Sequence, residues 1–267
     1  ADWAEQLIAE STGKNQKGIL PIVLSSASYE AKADLEDLVL VSVSENANYD
    51  ADTEVLVAGN LAEQFMLWEY ATSVASRLIE VNPFDQPDVE SAKVAARGML
   101  AEKTQAASWL FSSDGIEVNQ ANLGLNSSNS LKDAIEKLLS ETKEDSYLGL
   151  QVYLDREADL PVELLRDCLA RASSRPVTLG WGPRFLHSTG QYHKGGPREG
   201  VFLQLVASYD QDLDVPGRDF TFGELISSQA AGDAKVLADL GRPVLTLKLS
   251  EARSQIAMLR DLIEGLN

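Results

Sequence analysis

Residues 146–181 read SYLGLQVYLDREADLPVELLRDCLARASSRPVTLGW. Two short apolar runs, SYLGLQVYL and RPVTLGW, flank PVELLRDCLARASS, where leucines and alanines recur at helical spacing. A strand covered on both faces reads as a near-continuous apolar run, so this stretch predicts a strand–helix–strand unit with parallel strands. The alternation continues downstream: VFLQLVAS as a strand, FTFGELISSQAAGDAKVLADLG as one or two helices, RPVLTLKLS as a strand and EARSQIAMLRDLIEGL as a closing helix. The expected class is α/β, a doubly wound and mostly parallel sheet in a three-layer α/β/α arrangement.

Upstream the pattern is more mixed. DWAEQLIAESTGK reads as a helix, GILPIVL and EDLVLVSVS as buried strands, and EVLVAG as a third strand. Residues 60–81 and 87–103 carry long helical patterns, joined by a turn with two prolines. ASWLFSSDGIEVNQANLGLNSSNS is polar and turn-rich, and ends with Ser130 and Asp133 in capping-box spacing before LKDAIEKLLSE. These shifts divide the chain into a first part (1–104), a turn-rich connection with a helix (105–145), and a second α/β part (146–267). No repeat at a fixed short period is visible.

The chain has 267 residues, 44% apolar and 24% charged, an ordinary globular composition. A net charge of −18 argues against nucleic-acid or anionic-membrane partners, which require clustered Lys and Arg. It does not exclude small phosphorylated metabolites, which need only a local set of donors. No apolar run reaches the ~18–20 residues of a membrane span. The one cysteine, Cys168, falls in a helical pattern and reads as a buried small hydrophobe, consistent with a cytoplasmic, reducing location. Two histidines without cysteine partners give no zinc spacing, so no metal is expected.

Three stretches carry candidate chemistry. AESTGK (9–14) places Glu10 at a helix end before Ser-Thr-Gly-Lys. The plain reading is a glycine-terminated helix; the chemical one is a partly desolvated carboxylate serving as general base. The glycine spacing of a Walker A loop is absent. NPFDQPDVESAK (82–93) offers Gln86 as a neutral hydrogen-bonding group, with Lys93 seven residues on. Alone, the pair also reads as a helix connection and a solvated lysine. GPRFLHSTGQYHKGGP (182–197) reads as a loop holding both histidines, His187 and His193, the groups that titrate nearest neutrality.

Together the three stretches resemble phosphoglucose isomerase, and most closely the isomerase part of the bacterial transaldolase/phosphoglucose isomerase fusion proteins. AESTGK is similar to the family's MESNGK segment, whose glutamate is the catalytic base, a role that falls on Glu10. NPFDQPDVESAK is similar to the family's N-x-FDQ-x-x-VE-x-x-K segment. There the glutamine contacts the substrate phosphate (Gln86 here) and the lysine assists at the ring oxygen (Lys93 here). HSTGQYHKGGP, followed by VFLQL, resembles the TNGQH segment, whose histidine opens the pyranose ring. Tyr192 separates Gln191 from His193, where the family's common pattern has the two adjacent; His193 is the candidate, with His187 the alternative. The histidine segment follows the FDQ–lysine segment, as in the fusion-type subgroup. The family's Gly- and Ser/Thr-rich phosphate cradle is not found in the chain.

The resemblance implies a sugar-isomerase (SIS) fold of flavodoxin-like type. It implies interconversion of glucose 6-phosphate and fructose 6-phosphate without metal or nicotinamide. A homodimer is implied, together with an upstream SIS domain and, in the fusion subgroup, a transaldolase domain in the same polypeptide. The competing expectation is a non-catalytic SIS-type module that binds a sugar phosphate.

Overall fold

The computed structural model describes residues 1–33, 35, 38–46, 54–101, 109–158, 160–209 and 211–266. The strand–helix–strand unit at its centre is β5 (Tyr147–Tyr153), α5 (Val162–Ser173) and β6 (Val177–Trp181). Before it come α1 (Asp2–Thr12), β1 (Val41–Ser44), β2 (Val55–Ala58), α2 (Leu61–Leu78), α3 (Pro87–Ala101), β3 (Phe111–Ser113), β4 (Ile116–Ala121) and α4 (Leu131–Ser140). After it come α6 (Thr189–Gly195), β7 (Gly200–Ala207), α7 (Phe222–Asp239), β8 (Val244–Leu249) and α8 (Ala252–Glu264).

Six strands form one sheet in the order β3-β4-β8-β7-β5-β6. β5, β6, β7 and β8 run parallel, with Leu150 opposite Leu179 on one side and Leu203 on the other. β4 joins β8 antiparallel, and β3 pairs antiparallel with β4. The chain is therefore α/β, with a mostly parallel mixed sheet between helical layers, as its alternating pattern predicts.

The two-residue period of a strand sorts the core into two faces. Leu148, Leu150 and Val152 of β5 join Leu203 and Leu205 of β7 and Leu245 and Leu247 of β8 on one face. Apolar residues at helical spacing on the covering helices meet them: Ile135 and Leu138 from α4, Leu165 and Leu169 from α5, Ile256, Leu259 and Ile263 from α8. Tyr147, Tyr153 and Phe202 point the other way, toward α1, α6 and α7. That second face is unusually polar, because Gln151, Gln204 and Asp233 are buried in it. Cys168 is buried in the first core, as expected.

Several expectations need correction. GILPIVL forms no strand: Pro21 removes a ladder donor, and Ile19 instead donates its N–H to Thr12 Oγ1 at 3.0 Å. Residues 105–145 are more than a connection and helix, since β3 and β4 lie there and extend the sheet. Asp114 and Gly115 join those strands with φ of 52° and 74°, a two-residue hairpin turn. Residues 189–195, read as loop, form the helix α6. Part of EDLVLVSVS and residues 102–103 of the second helical pattern lie outside the described residues. The capping box at Ser130 and Asp133 is formed on α4 as the spacing predicts.

The first part is built differently from the rest. Among the described residues, β1 and β2 pair only with each other, in parallel. α2 buries Thr72 and Ser76, while Met66, Leu67, Tyr70, Val74 and Leu78 are 48–77% exposed. At 100° per residue those five fall on the face opposite Thr72 and Ser76, so the helix turns its apolar stripe outward. Among the described residues, no helix is long and apolar enough to cross a membrane.

Candidate functional site

The three sequence stretches meet at one edge of the molecule, where α6 packs against both α1 and α3. Two polar side chains, Lys14 and Gln191, tie the stretches together. Past the end of α1, Asn15 and Gln16 adopt left-handed backbone (φ 58° each), and Lys14 and Lys17 exchange backbone hydrogen bonds across them. This turn sends Lys14 inward. Its Nζ donates to Asn82 O at 2.7 Å and to Asp85 O, and lies 3.1 Å from Asp85 Oδ1. Hydrogen bonding from Lys14 holds the exposed Asp85 carboxyl below its ordinary range. Asn82 closes the same turn, donating from Nδ2 to Asp85 Oδ2 at 3.1 Å and accepting from Phe84 N.

Gln191 is the second tie. Its Nε2 donates to Gly13 O at 2.8 Å and to Asp88 Oδ2 at 2.6 Å, and its Oε1 accepts from Asp88 N at 3.0 Å. One fully buried amide thus joins the end of α1, the start of α3 and α6. Glycine makes the approach possible: a Cβ on Gly195 would stand 2.3 Å from Asp88 Oδ2, and one on Gly190 only 1.8 Å from Phe185 O. Neither Lys14 nor Gln191 was singled out by the sequence. Opposite charge in two motifs, Lys14 and Asp85, was the signal available.

The candidate residues themselves sit as follows. Glu10 is half-buried in the last turn of α1, and the one hydrogen bond of its carboxylate among the described residues is a 3.5 Å contact from Gln6 Nε2. Gln86 is exposed on the turn between α2 and α3. Lys93 is half-buried on α3, with Nζ 3.9 Å from Glu90 Oε2.

His193, expected in a loop, lies on the helix α6. It is 1% exposed, and its Nδ1 lies 2.8 Å from Tyr147 Oη. Tyr147 stacks on it, and Phe185 and Phe202 complete the surround. Burial, helped by the positive charges of Lys194 and Arg242, pushes its pKa down to about 3. Burial among aromatic rings therefore disfavours the charged imidazole at neutral pH. His187 is exposed, at the end of the short turn 184–186.

Behind α6 runs a buried polar chain. Lys194 Nζ lies 2.5 Å from Asp233 Oδ1, Gln151 Nε2 donates to Asp233 Oδ2 at 2.8 Å, and Gln204 Nε2 lies 3.3 Å from Gln151 Oε1. It fixes α6 to the sheet through β5, β7 and α7. In front of α6 opens a cleft of about 310 Å³, lined by Asn15, Gln16, Asp88, Gly195, Arg198 and Arg242 among others. Gln86 directly precedes Pro87, which lines it; Glu10, Lys93 and His193 do not line it. A second cavity, of about 410 Å³, lies between α7 and strands β4, β8 and β7, away from every sequence candidate.

No protein-family model matches the chain, and no curated protein sequence matches it. Among solved structures, it is similar to the crystal structure of hypothetical protein TT0462 from Thermus thermophilus, at a TM-score of 0.44 and 14% identity. That likeness covers 97% of this chain and 73% of the other.

Proposed function

We propose that the chain carries catalytic elements of an aldose–ketose isomerase acting on glucose 6-phosphate and fructose 6-phosphate. The supporting observation is the meeting of the three motif-bearing segments, tied by Lys14 to the FDQ turn and by Gln191 to Gly13 and Asp88. Segments 68 to 178 residues apart in sequence are joined by side chains belonging to the motifs themselves.

In this reading, Glu10 takes the C2 proton of the open-chain aldose, giving a cis-enediol, and returns a proton to C1 on the same face. One carboxylate suffices because both carbons are reached from one side. Lys93 assists at the ring oxygen during opening, and Gln86 helps fix the phosphate; a positioned acid or base contributes typically about 10²–10⁴-fold. No metal or nicotinamide enters these steps. The expected location is the cytoplasm. A homodimer, and an upstream SIS or transaldolase domain in the same polypeptide, are the proposed partners. The outward apolar stripe of α2 supports a partner surface in this part of the molecule.

The burial of His193 favours a second reading, a non-catalytic SIS-type module that binds the sugar phosphate. A coupled assay of fructose 6-phosphate turnover, with Glu10→Gln and Lys93→Ala alongside, separates the two. Turnover lost in Glu10→Gln supports the isomerase. Sugar-phosphate binding without turnover, unchanged by Glu10→Gln, supports the module.

A further inference from the structure

Among the described residues, four cationic side chains are at most 3% exposed: Lys14, Arg166, Lys194 and Arg242. A charge removed from water is costly unless paired, so each should have a carboxylate. Three do: Lys14 with Asp85, Arg166 with Glu30, and Lys194 with Asp233. Arg242 has no carboxylate within 4.0 Å among the described residues. It donates from Nη1 to Pro197 O at 2.7 Å and from Nη2 to Gly196 O at 3.0 Å, while its buried Nε has no partner. Those carbonyls lie just past the end of α6. They orient the guanidinium but supply dipoles, not a neutralising charge.

Arg242 lines the 310 Å³ cleft, and so does Arg198, which is exposed and makes no hydrogen bond or ion pair with a described residue. Burial holds Arg242 below the ordinary arginine range; the charge of Arg198 acts in the same direction, while Tyr147, Tyr192 and Glu199, none of them an ion-pair partner, act against it. Two guanidinium groups that disfavour one another share a cleft in a chain of net charge −18. The first turn of α3, through Pro87 and Asp88, lines the same cleft. Asp88 lies on that turn, with its Oδ2 held by Gln191 Nε2.

We infer that this cleft binds a phosphate group between Arg242 and Arg198. A dianion answers both guanidinium charges, where a single carboxylate would leave one unanswered, and the planar fork of arginine matches phosphate oxygens. The space accommodates more than a phosphate alone. For the identity of that further body, a sugar, the inference rests on the isomerase reading, to which it adds a phosphate anchor beyond Gln86.

The test is isothermal titration of the full chain at low salt with inorganic phosphate, fructose 6-phosphate and fructose. Arg198→Ala and Arg242→Lys are titrated alongside. Arg198 is exposed and unpartnered, so Arg198→Ala should melt with the parent protein. Phosphate and fructose 6-phosphate should bind and fructose should not, and Arg198→Ala should weaken both about tenfold, equivalent to about 1.4 kcal/mol. Arg242→Lys keeps the charge but loses the fork and should also weaken binding. Absence of phosphate binding up to about 20 mM, or equal affinity in Arg198→Ala, overturns the inference. Phosphate binding without isomerase turnover would leave the anion site standing and remove the isomerase reading. Turnover with phosphate affinity unaltered by Arg198→Ala would do the reverse.

Discussion

His193 makes the fold sensitive to acid, and its contribution can be worked out. Its pKa is about 3 in the folded protein against 6.5 as the ordinary value. Below pH 6.5 the unfolded chain takes up a proton that the buried imidazole refuses, so stability from this group is complete above pH 6.5 and falls toward pH 3. The whole span is about 5 kcal/mol, and the part lost between pH 7.5 and pH 5.0 is about 2 kcal/mol. Glu5 works in the opposite sense. Burial raises its carboxyl to about 7 despite Arg184 at 3.1 Å, so its contribution is present at low pH and is lost as pH rises through 7. The raw pH profile therefore mixes two opposed effects, and the comparison must be made against a variant. His193→Gln keeps an acceptor for Tyr147 and removes the titration. Urea unfolding at the two pH values should show the parent protein losing about 2 kcal/mol more than His193→Gln on acidification. Equal losses would mean that His193 is protonated readily in the folded protein. Its burial among Tyr147, Phe185 and Phe202 would then not describe its working state.

Other perturbations follow from the same contacts. Lys14→Met leaves the carbonyls of Asn82 and Asp85 without their donor and should cost about 2–3 kcal/mol in urea unfolding, with faster amide exchange over residues 82–88. Gly190→Ala forces a Cβ to within 1.8 Å of Phe185 O; a loss of about 3 kcal/mol or more is expected by thermal or urea melting. Leu67→Lys combined with Leu78→Lys changes only the outward stripe of α2, so stability should move by no more than about 0.5 kcal/mol while self-association in sedimentation velocity falls.

The second half of the fold was legible because its signals are local. β5, β6, β7 and β8 are apolar runs bounded by polar turns, and Ser130 with Asp133 marks the start of α4 directly. The β3–β4 hairpin escaped because its strands are short and polar. Asp114–Gly115, a dipeptide suited to two consecutive positive φ values, was nevertheless there to read. α6 escaped because glycine in a helix reads as a breaker, while Gly190 and Gly195 serve close approach to Phe185 and Asp88. In the site, the motifs were visible but their ties were not. Lys14 to Asp85 and Gln191 to Gly13 are contacts across 71 and 178 residues, which no local pattern encodes. The same holds for His193: its residue type advertised proton chemistry, and only the packing of Tyr147 and Phe202 around it reveals a ring whose charged form is disfavoured.

The most direct test of the isomerase reading is to incubate the full chain with fructose 6-phosphate in deuterium oxide and follow the products by proton NMR. A carboxylate base exchanging with solvent through an enediol predicts glucose 6-phosphate with deuterium at C2, formed by the parent protein and not by Glu10→Gln. Unlabelled fructose 6-phosphate and no glucose 6-phosphate, at any protein concentration, would contradict the assignment of this chemistry to the chain.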